Sequence, residues 1–147
     1  MEKTVKGYVI KPYADLQGAS LTGASLTGAN LQGANLVNAL IPSFQIPQEG
    51  ELIVYKKLLG GVVAKLRVPP TARRTATPVG RKCRAEFVEV LEFVNSSKRE
   101  VGAKHDYGKT SYIVGQTIRP DEYDDDIRVE CTHGIHFFLT REEAEAY

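Results

Sequence analysis

Residues 14 to 40 read ADLQGASLTGASLTGANLQGANLVNAL. Leu16, Leu21, Leu26, Leu31 and Leu36 recur every five residues, with Ala14, Ala19, Ala24, Ala29 and Ala34 two positions before each. Neither a helix nor an ordinary strand has this period. Wound on a helix, the leucines would spread around the axis, and a glycine in most units would weaken it further. The stretch has to be read as a repeat whose unit buries its core only by stacking on its neighbours.

The rest of the chain sets the scale of what the repeat can do. There are 147 residues, 42% of them hydrophobic, enough for one domain and an appendage. No stretch approaches the ~18 apolar residues that a membrane span needs. The opening MEKTVKGYVIK lacks the apolar centre of a signal peptide. Cys83 and Cys131 are too few and too far apart for a secreted disulfide framework. The expectation is a soluble cytoplasmic protein with free thiols, no membrane partner and no cofactor.

The net charge of +1 hides a segregation. Leu52 to Ala85 contains no Asp or Glu but nine basic residues: Lys56, Lys57, Lys65, Arg67, Arg73, Arg74, Arg81, Lys82 and Arg84. From Asp121 to Glu145, nine acidic residues face only Arg128 and Arg141. Such asymmetry fits a polyanion-binding face, or two segments that neutralise each other.

The five-residue unit resembles that of the pentapeptide-repeat family, A(D/N)LXX, and GYVIKPYADLQGA resembles a natural start of such an array. The resemblance implies a right-handed, four-sided β-helix with Leu at the interior centre of each side and Ala filling the space beside it. Asp15, Ser20, Ser25, Asn30 and Asn35 would face outward. Four units make a coil in that family, so this chain has about one and a third coils, spaced about 4.8 Å apart. That is short of the roughly three stacked layers at which repeats become independent. The segment is therefore expected to dock on the rest of the chain, to stack on another subunit as a homo-oligomer, or both. Long rods of this family mimic DNA, but this repeat carries a single acidic residue, Asp15, where a phosphate mimic must be densely anionic.

Beyond Ile46, Pro47 and Glu49-Gly50 mark a boundary. ELIVYKKL and GVVAKLRV read as strands of a hairpin around Leu59-Gly60-Gly61. PPTARRTATPVGRK reads as a long polar connection, and CRAEFVEVLEFV as one β-rich run. NSSKREVGAKHDYGKT reads as a mobile loop, SYIV and GQTIRP as short strands, DEYDDD as exposed and GIHFFL as a compact strand. Thr140 and Glu143 form a capping box for a last short helix. GRKCRA and CTHGIHFF with TREEAEAY resemble a domain of unknown function that often follows pentapeptide repeats in phage, prophage and large-virus proteins. That resemblance implies a context, a viral accessory protein, and no activity. The predicted fold is mainly β with minor α: a short quadrilateral β-helix over residues 1–45, then a mixed, mostly β domain over 46–147.

Arg73, Arg74, Thr75, Arg81, Lys82 and Arg84 crowd the basic connection. Arginine forks and hydroxyl donors suit phosphate oxygens, and with His136 they form the candidate ligand-binding set. The order GxxxxGK[ST] of a phosphate loop is absent. Cys131, His133 and His136 place three metal-capable side chains close together, and Cys83 and His105 could join them, but the spacing is not that of a zinc site. Cys83 and Cys131 are read instead as small buried hydrophobes, and no metal or catalytic residue is assigned. No GxSxG, HExxH or similar signature supports catalysis, and no recognition helix supports sequence-specific nucleic-acid binding.

The leading expectation is a non-catalytic, phage-type accessory protein of the infected or lysogenic cell's cytoplasm. It would hold a small anionic, nucleotide-like ligand and sequester a host immune signal. The alternative is a protein–protein scaffold built on the repeat. A third reading is a metal- or thiol-dependent enzyme centred on Cys131 and His136.

Overall fold

The computed structural model describes residues 2–41 and 46–147. Two compact units emerge, and neither is continuous in sequence. The first comprises Met1–Ile46, Thr75–Lys82 and Asp125–Thr132, and the second Pro47–Arg74, Cys83–Asp124 and His133–Tyr147. The architecture is mainly β with one short helix.

The first unit opens with a hairpin of β1 (Lys3–Val5) and β2 (Tyr8–Ile10), turned at Lys6-Gly7. The repeats follow, and each closes with the same turn. The amides of Ala19, Ala24, Ala29, Ala34 and Ala39 donate to the carbonyls of Leu16, Leu21, Leu26, Leu31 and Leu36 at 2.9–3.0 Å. The third residue of each turn is Gly18, Gly23, Gly28, Gly33 or Asn38, with φ between 57° and 75°. A type II turn demands positive φ there, which is why glycine recurs and why asparagine is its one substitute in these turns. The chain then returns upon itself after four units. Asp15 pairs in parallel with Asn35 and Ser20 with Leu40, through bonds such as Leu16 N to Asn35 O at 2.9 Å and Leu21 N to Leu40 O at 2.7 Å. Leu16, Leu21, Leu26 and Leu31 are buried with Ala14, Ala19 and Ala34 between them, as the repeat pattern predicts.

The repeat stops before a second circuit is complete, and other parts of the chain supply what is missing. The amide of Gly28 donates to Val79 O at 2.9 Å, and Val79 joins the leucine core. Thr77 and Val79 are both buried, with the same two-residue spacing as Ala and Leu in each repeat. The polar connection thus lends the array one backbone acceptor and part of its core. Arg128 Nη1 donates to Ala34 O at 2.8 Å. Its guanidinium is aimed by two bonds to Asp126, Nε to Oδ1 at 2.8 Å and Nη2 to Oδ2 at 2.7 Å. Elsewhere on the array, Tyr8 Oη accepts from Ser20 N at 3.4 Å, Lys6 Nζ donates to Thr22 O, and Ile10 enters the core. Backbone groups at an open parallel edge need such partners.

In the second unit, β3 (Leu52–Lys57) and β4 (Val63–Val68) form the expected hairpin, with Leu59–Gly61 as its connection. A two-residue strand β5 (Arg74–Thr75) straddles the boundary of the units and precedes β6 (Cys83–Ala85) and β7 (Val88–Phe93). The run CRAEFVEVLEFV is therefore broken at Glu86-Phe87, and its halves enter different sheets. The expected mobile loop instead contains β8 (Glu100–Gly102), which pairs with β9 (Ser111–Ile113). Strands of three residues are too short for periodicity to betray them. With β10 (Thr117–Ile118), the main sheet runs β10-β7-β4-β3, all antiparallel, over a core that includes Val54, Leu66, Val68, Val88 and Val90. Strand β11 (Ile135–Phe137) pairs with β6. Helix α1 (Arg141–Ala146) starts where the capping box places it: Thr140 Oγ1 accepts from Glu143 N at 3.2 Å and donates to the Glu143 carboxylate at 2.9 Å.

Candidate functional site

The register of β6 against β11 sets Cys83 opposite Phe137, Arg84 opposite His136 and Ala85 opposite Ile135. Alternation sends Cys83 and Phe137 into the core and puts Arg84 and His136 together on the other face. Arg84 is only 1% exposed. Its Nε donates to Asp124 O at 2.5 Å, and its methylenes lie against Gly134, where an added Cβ would come within 3.1–3.3 Å of Arg84 Cβ, Cγ and Cδ. Gly134 also has φ 147°, in the region that favours glycine. Beside them, Lys56 Nζ donates to His136 O at 2.9 Å.

The neighbouring arginines are also engaged. Arg74 is buried and donates to three carbonyls: Ala72 O at 3.2 Å, Pro47 O at 3.3 Å and Pro69 O at 2.8 Å. Burial pulls its pKa below the ordinary arginine value. Arg73 donates through its backbone amide and its guanidinium to Glu86, at 3.1–3.3 Å. The amide bond is the main reason the Glu86 carboxyl sits below its usual range. The Arg73 guanidinium lies 4.8 Å from the centre of the Tyr123 ring.

Residues 121–124 form an acidic strap over this face. Tyr123 stacks on Arg73, and Asp124 accepts from Arg84. The Asp124 amide donates to His133 O at 3.0 Å. His133 Nδ1 lies 3.2 Å from Asp121, and Nε2 lies 3.7 Å from Glu122. The hydrogen bond to Asp121, and then its charge, raise the His133 pKa. Asp121 is lowered first by the Glu122 amide and then by His133.

The seven candidate ligand residues therefore do not share one task. Arg84 and His136 are cross-strand neighbours, Arg74 clips loop carbonyls, and Arg73 pairs with Glu86. Thr75, Arg81 and Lys82 fall in the first unit, with Thr75 buried and Arg81 exposed. Sequence reasoning missed Gly134 and Tyr123. The glycine inside CTHGIH was the available signal, because a glycine at a strand start marks a close approach. Cys83 is buried as expected, but Cys131 is exposed, because it precedes β11 in an irregular segment. Among the described residues, no group of three or more His, Cys, Asp or Glu side chains is arranged to hold a metal ion.

Residues 42–144 match the family of unknown function DUF5758, and residues 13–40 match pentapeptide repeats (8 copies). The chain belongs to the DUF5758 family. No curated protein and no solved structure matches it. The DUF5758 match includes both segments, 75–82 and 125–132, that fold with the repeats. In this DUF5758 protein the family region is thus what completes the pentapeptide array. No helix among the described residues is long and apolar enough to cross a membrane.

Proposed function

We propose that this DUF5758 protein is a non-catalytic interaction protein that self-associates through the outer wall of its repeats, with a short right-handed, four-sided β-helix as the frame. The supporting observation is the chemistry of that wall. One circuit presents Gln17 and Ser20, whereas the next presents Val37 and Leu40, 57% and 61% exposed. Residues 14–40 contain no Lys or Arg and only Asp15 as an acid. Two copies of a nearly uncharged, partly apolar wall meet without like-charge repulsion, as an isologous interface requires. The test is sedimentation velocity at micromolar concentration. The wild type is expected to be a dimer or larger, and Val37→Glu with Leu40→Glu to be a folded monomer. A monomeric wild type overturns the reading.

A second reading keeps the anionic ligand. What favours it is the strap: Tyr123 and the Asp124 carbonyl lie on Arg73 and Arg84 as part of a bound anion would. A nucleotide would gain these arginines only by displacing residues 121–124. Such a protein could sequester a host nucleotide signal during phage infection. Native mass spectrometry with linear and cyclic nucleotides checks it: an unmodified nucleotide retained by the wild type and lost on Arg73→Ala supports it, and a bare protein rejects it.

A further inference from the structure

The tip of the β8–β9 hairpin carries a side chain with no structural employment. Tyr107 is 90% exposed. Its φ is 56°, in the left-handed region, where a bulky residue is strained and Gly or Asn would sit at lower cost. Tyr13 shares that conformation, but its ring lies against Gly33. The Tyr107 side chain makes no hydrogen bond, ion pair or ring contact with any described residue.

The loop beneath it is nonetheless tightly built. Gly108 N donates to Ala103 O at 2.9 Å, and Ala103 N to Thr110 O at 2.8 Å. The Asp106 carboxylate accepts from Thr110 N at 2.9 Å and from the Thr110 hydroxyl at 2.5 Å. Gly102 and Gly108 approach so closely that a Cβ on Gly102 would lie 2.4 Å from Gly108 Cα. A rigid loop thus holds an aromatic ring out in water in a costly backbone conformation. Strain of this kind, maintained by its surroundings, points to a role outside the fold, and preorganisation lowers the entropy lost on binding.

The flanking charge identifies the partner. Lys104, His105 and Lys109 are exposed around Tyr107, and Lys104 Nζ also donates to Tyr147 O at 3.4 Å and lies 5.4 Å from the centre of the Tyr147 ring. The Asp106 carboxylate is turned into the loop's own donors and lies 3.6 Å from His105 Nε2, so the outward charge is that of Lys104 and Lys109. Both faces of the ring are open. A ring that stacks on a flat group, flanked by two lysines, fits a base and its adjoining phosphates.

We propose that the Tyr107 tip is a binding element for single-stranded nucleic acid, stacking Tyr107 on a base with Lys109 and Lys104 along the backbone, without sequence preference. The test uses fluorescence anisotropy of labelled oligothymidylate and oligouridylate at low salt, with the full chain. The wild type is expected to bind, with affinity falling as salt rises. Tyr107→Phe should retain binding, because stacking needs only the ring. Tyr107→Asn should weaken it about tenfold or more, while its thermal midpoint holds or rises, because asparagine relieves the φ strain. Lys109→Gln should reduce the salt slope. The proposal is overturned if the wild type binds neither strand, if Tyr107→Asn binds as well as the wild type, or if Tyr107→Asn melts lower, which would make the tyrosine structural. A wild type that ignores both strands, with a Tyr107→Asn variant of full stability, would hand the tip to a protein partner instead.

Discussion

The amide of Gly28 donates to the carbonyl of Val79 at 2.9 Å, joining the third repeat to a segment that carries no repeat signature. The relationship explains how five and a half units suffice. Val79 joins the buried leucine core, so part of what the short array lacks comes from elsewhere in the chain. The Thr77 side chain is fully buried and its hydroxyl has no hydrogen-bond partner. Thr77→Val keeps the shape and removes the unpaired group, and is expected to stabilise the protein by about 1 kcal/mol in urea titrations. Val79→Asp puts a carboxylate into the leucine core and should cost several times as much. A Val79→Asp variant with wild-type stability would show that the segment does not belong to the core.

Arg128 is expected to matter as an edge cap. Arg128→Ala removes the donor to Ala34 O and leaves Asp126 without its paired guanidinium. Because the Arg128 side chain is 36% exposed, water replaces part of what is lost. A loss of about 1 kcal/mol is expected, below the usual range for buried bonds to charged groups. Amide hydrogen exchange in residues 31–40 should quicken more than that of the β3–β4 hairpin. Uniform quickening would assign Arg128 a different role.

The same residues show what the sequence made legible. The leucine period and its turn glycines were readable because one geometry repeats five times. The β3–β4 hairpin and the α1 cap were readable because alternation and capping are local. Thr77 and Val79 were not, because a single short segment has no period, and Pro78-Val79-Gly80 looks like any turn. Strand β8 is three residues long and sits among charges. The uses of Arg74 and Arg84 were hidden for another reason: a guanidinium spent on backbone carbonyls has the same sequence as one awaiting a phosphate.

Gly134→Ala tests the close approach to Arg84. The new methyl meets side-chain carbons at 3.1–3.3 Å, and the backbone there is one that alanine adopts at a cost. A loss of about 2 kcal/mol is expected from crowding and backbone strain together. Arg84→Lys should also destabilise, because an ammonium cannot reproduce the directed Nε bond to Asp124 O. If both variants melt with the wild type, the β6–β11 face is looser than the contacts imply.

The strap should respond to pH through His133. Its folded pKa is raised, so its contribution is fully present below the ordinary histidine value of about 6.5 and is lost as pH rises through the folded value. Asp121 is lowered, so its contribution is present above the ordinary carboxylate range and is lost as pH falls through the folded value. The pair therefore holds best between those two limits. Urea midpoints of the wild type should decline as pH rises above about 6.5 and through the folded value, and His133→Gln should flatten that decline. An unchanged profile in His133→Gln would remove the histidine from the account.

Tyr112 offers the sharpest test of the hairpin beneath Tyr107. The ring is fully buried, and its hydroxyl has no hydrogen-bond partner; Asp106 Oδ1 is likewise buried without one. Burial, and then the Asp106 charge, push the phenol pKa far above its ordinary value. The hydroxyl thus stays neutral, a desolvated donor with nothing to receive its proton. Tyr112→Phe keeps the ring in the core and removes that donor, so a gain of about 1 kcal/mol is expected. Tyr112→Ala empties the site and should cost roughly 3–5 kcal/mol. Because Tyr107 lies on the same loop, Tyr112→Phe should leave the binding behaviour of the tip unchanged. A Tyr112→Phe variant that loses stability instead would mean that the hydroxyl reaches Asp106 Oδ1 through a bound water, and that the loop is held by a buried polar network rather than by packing and the Thr110 bonds alone.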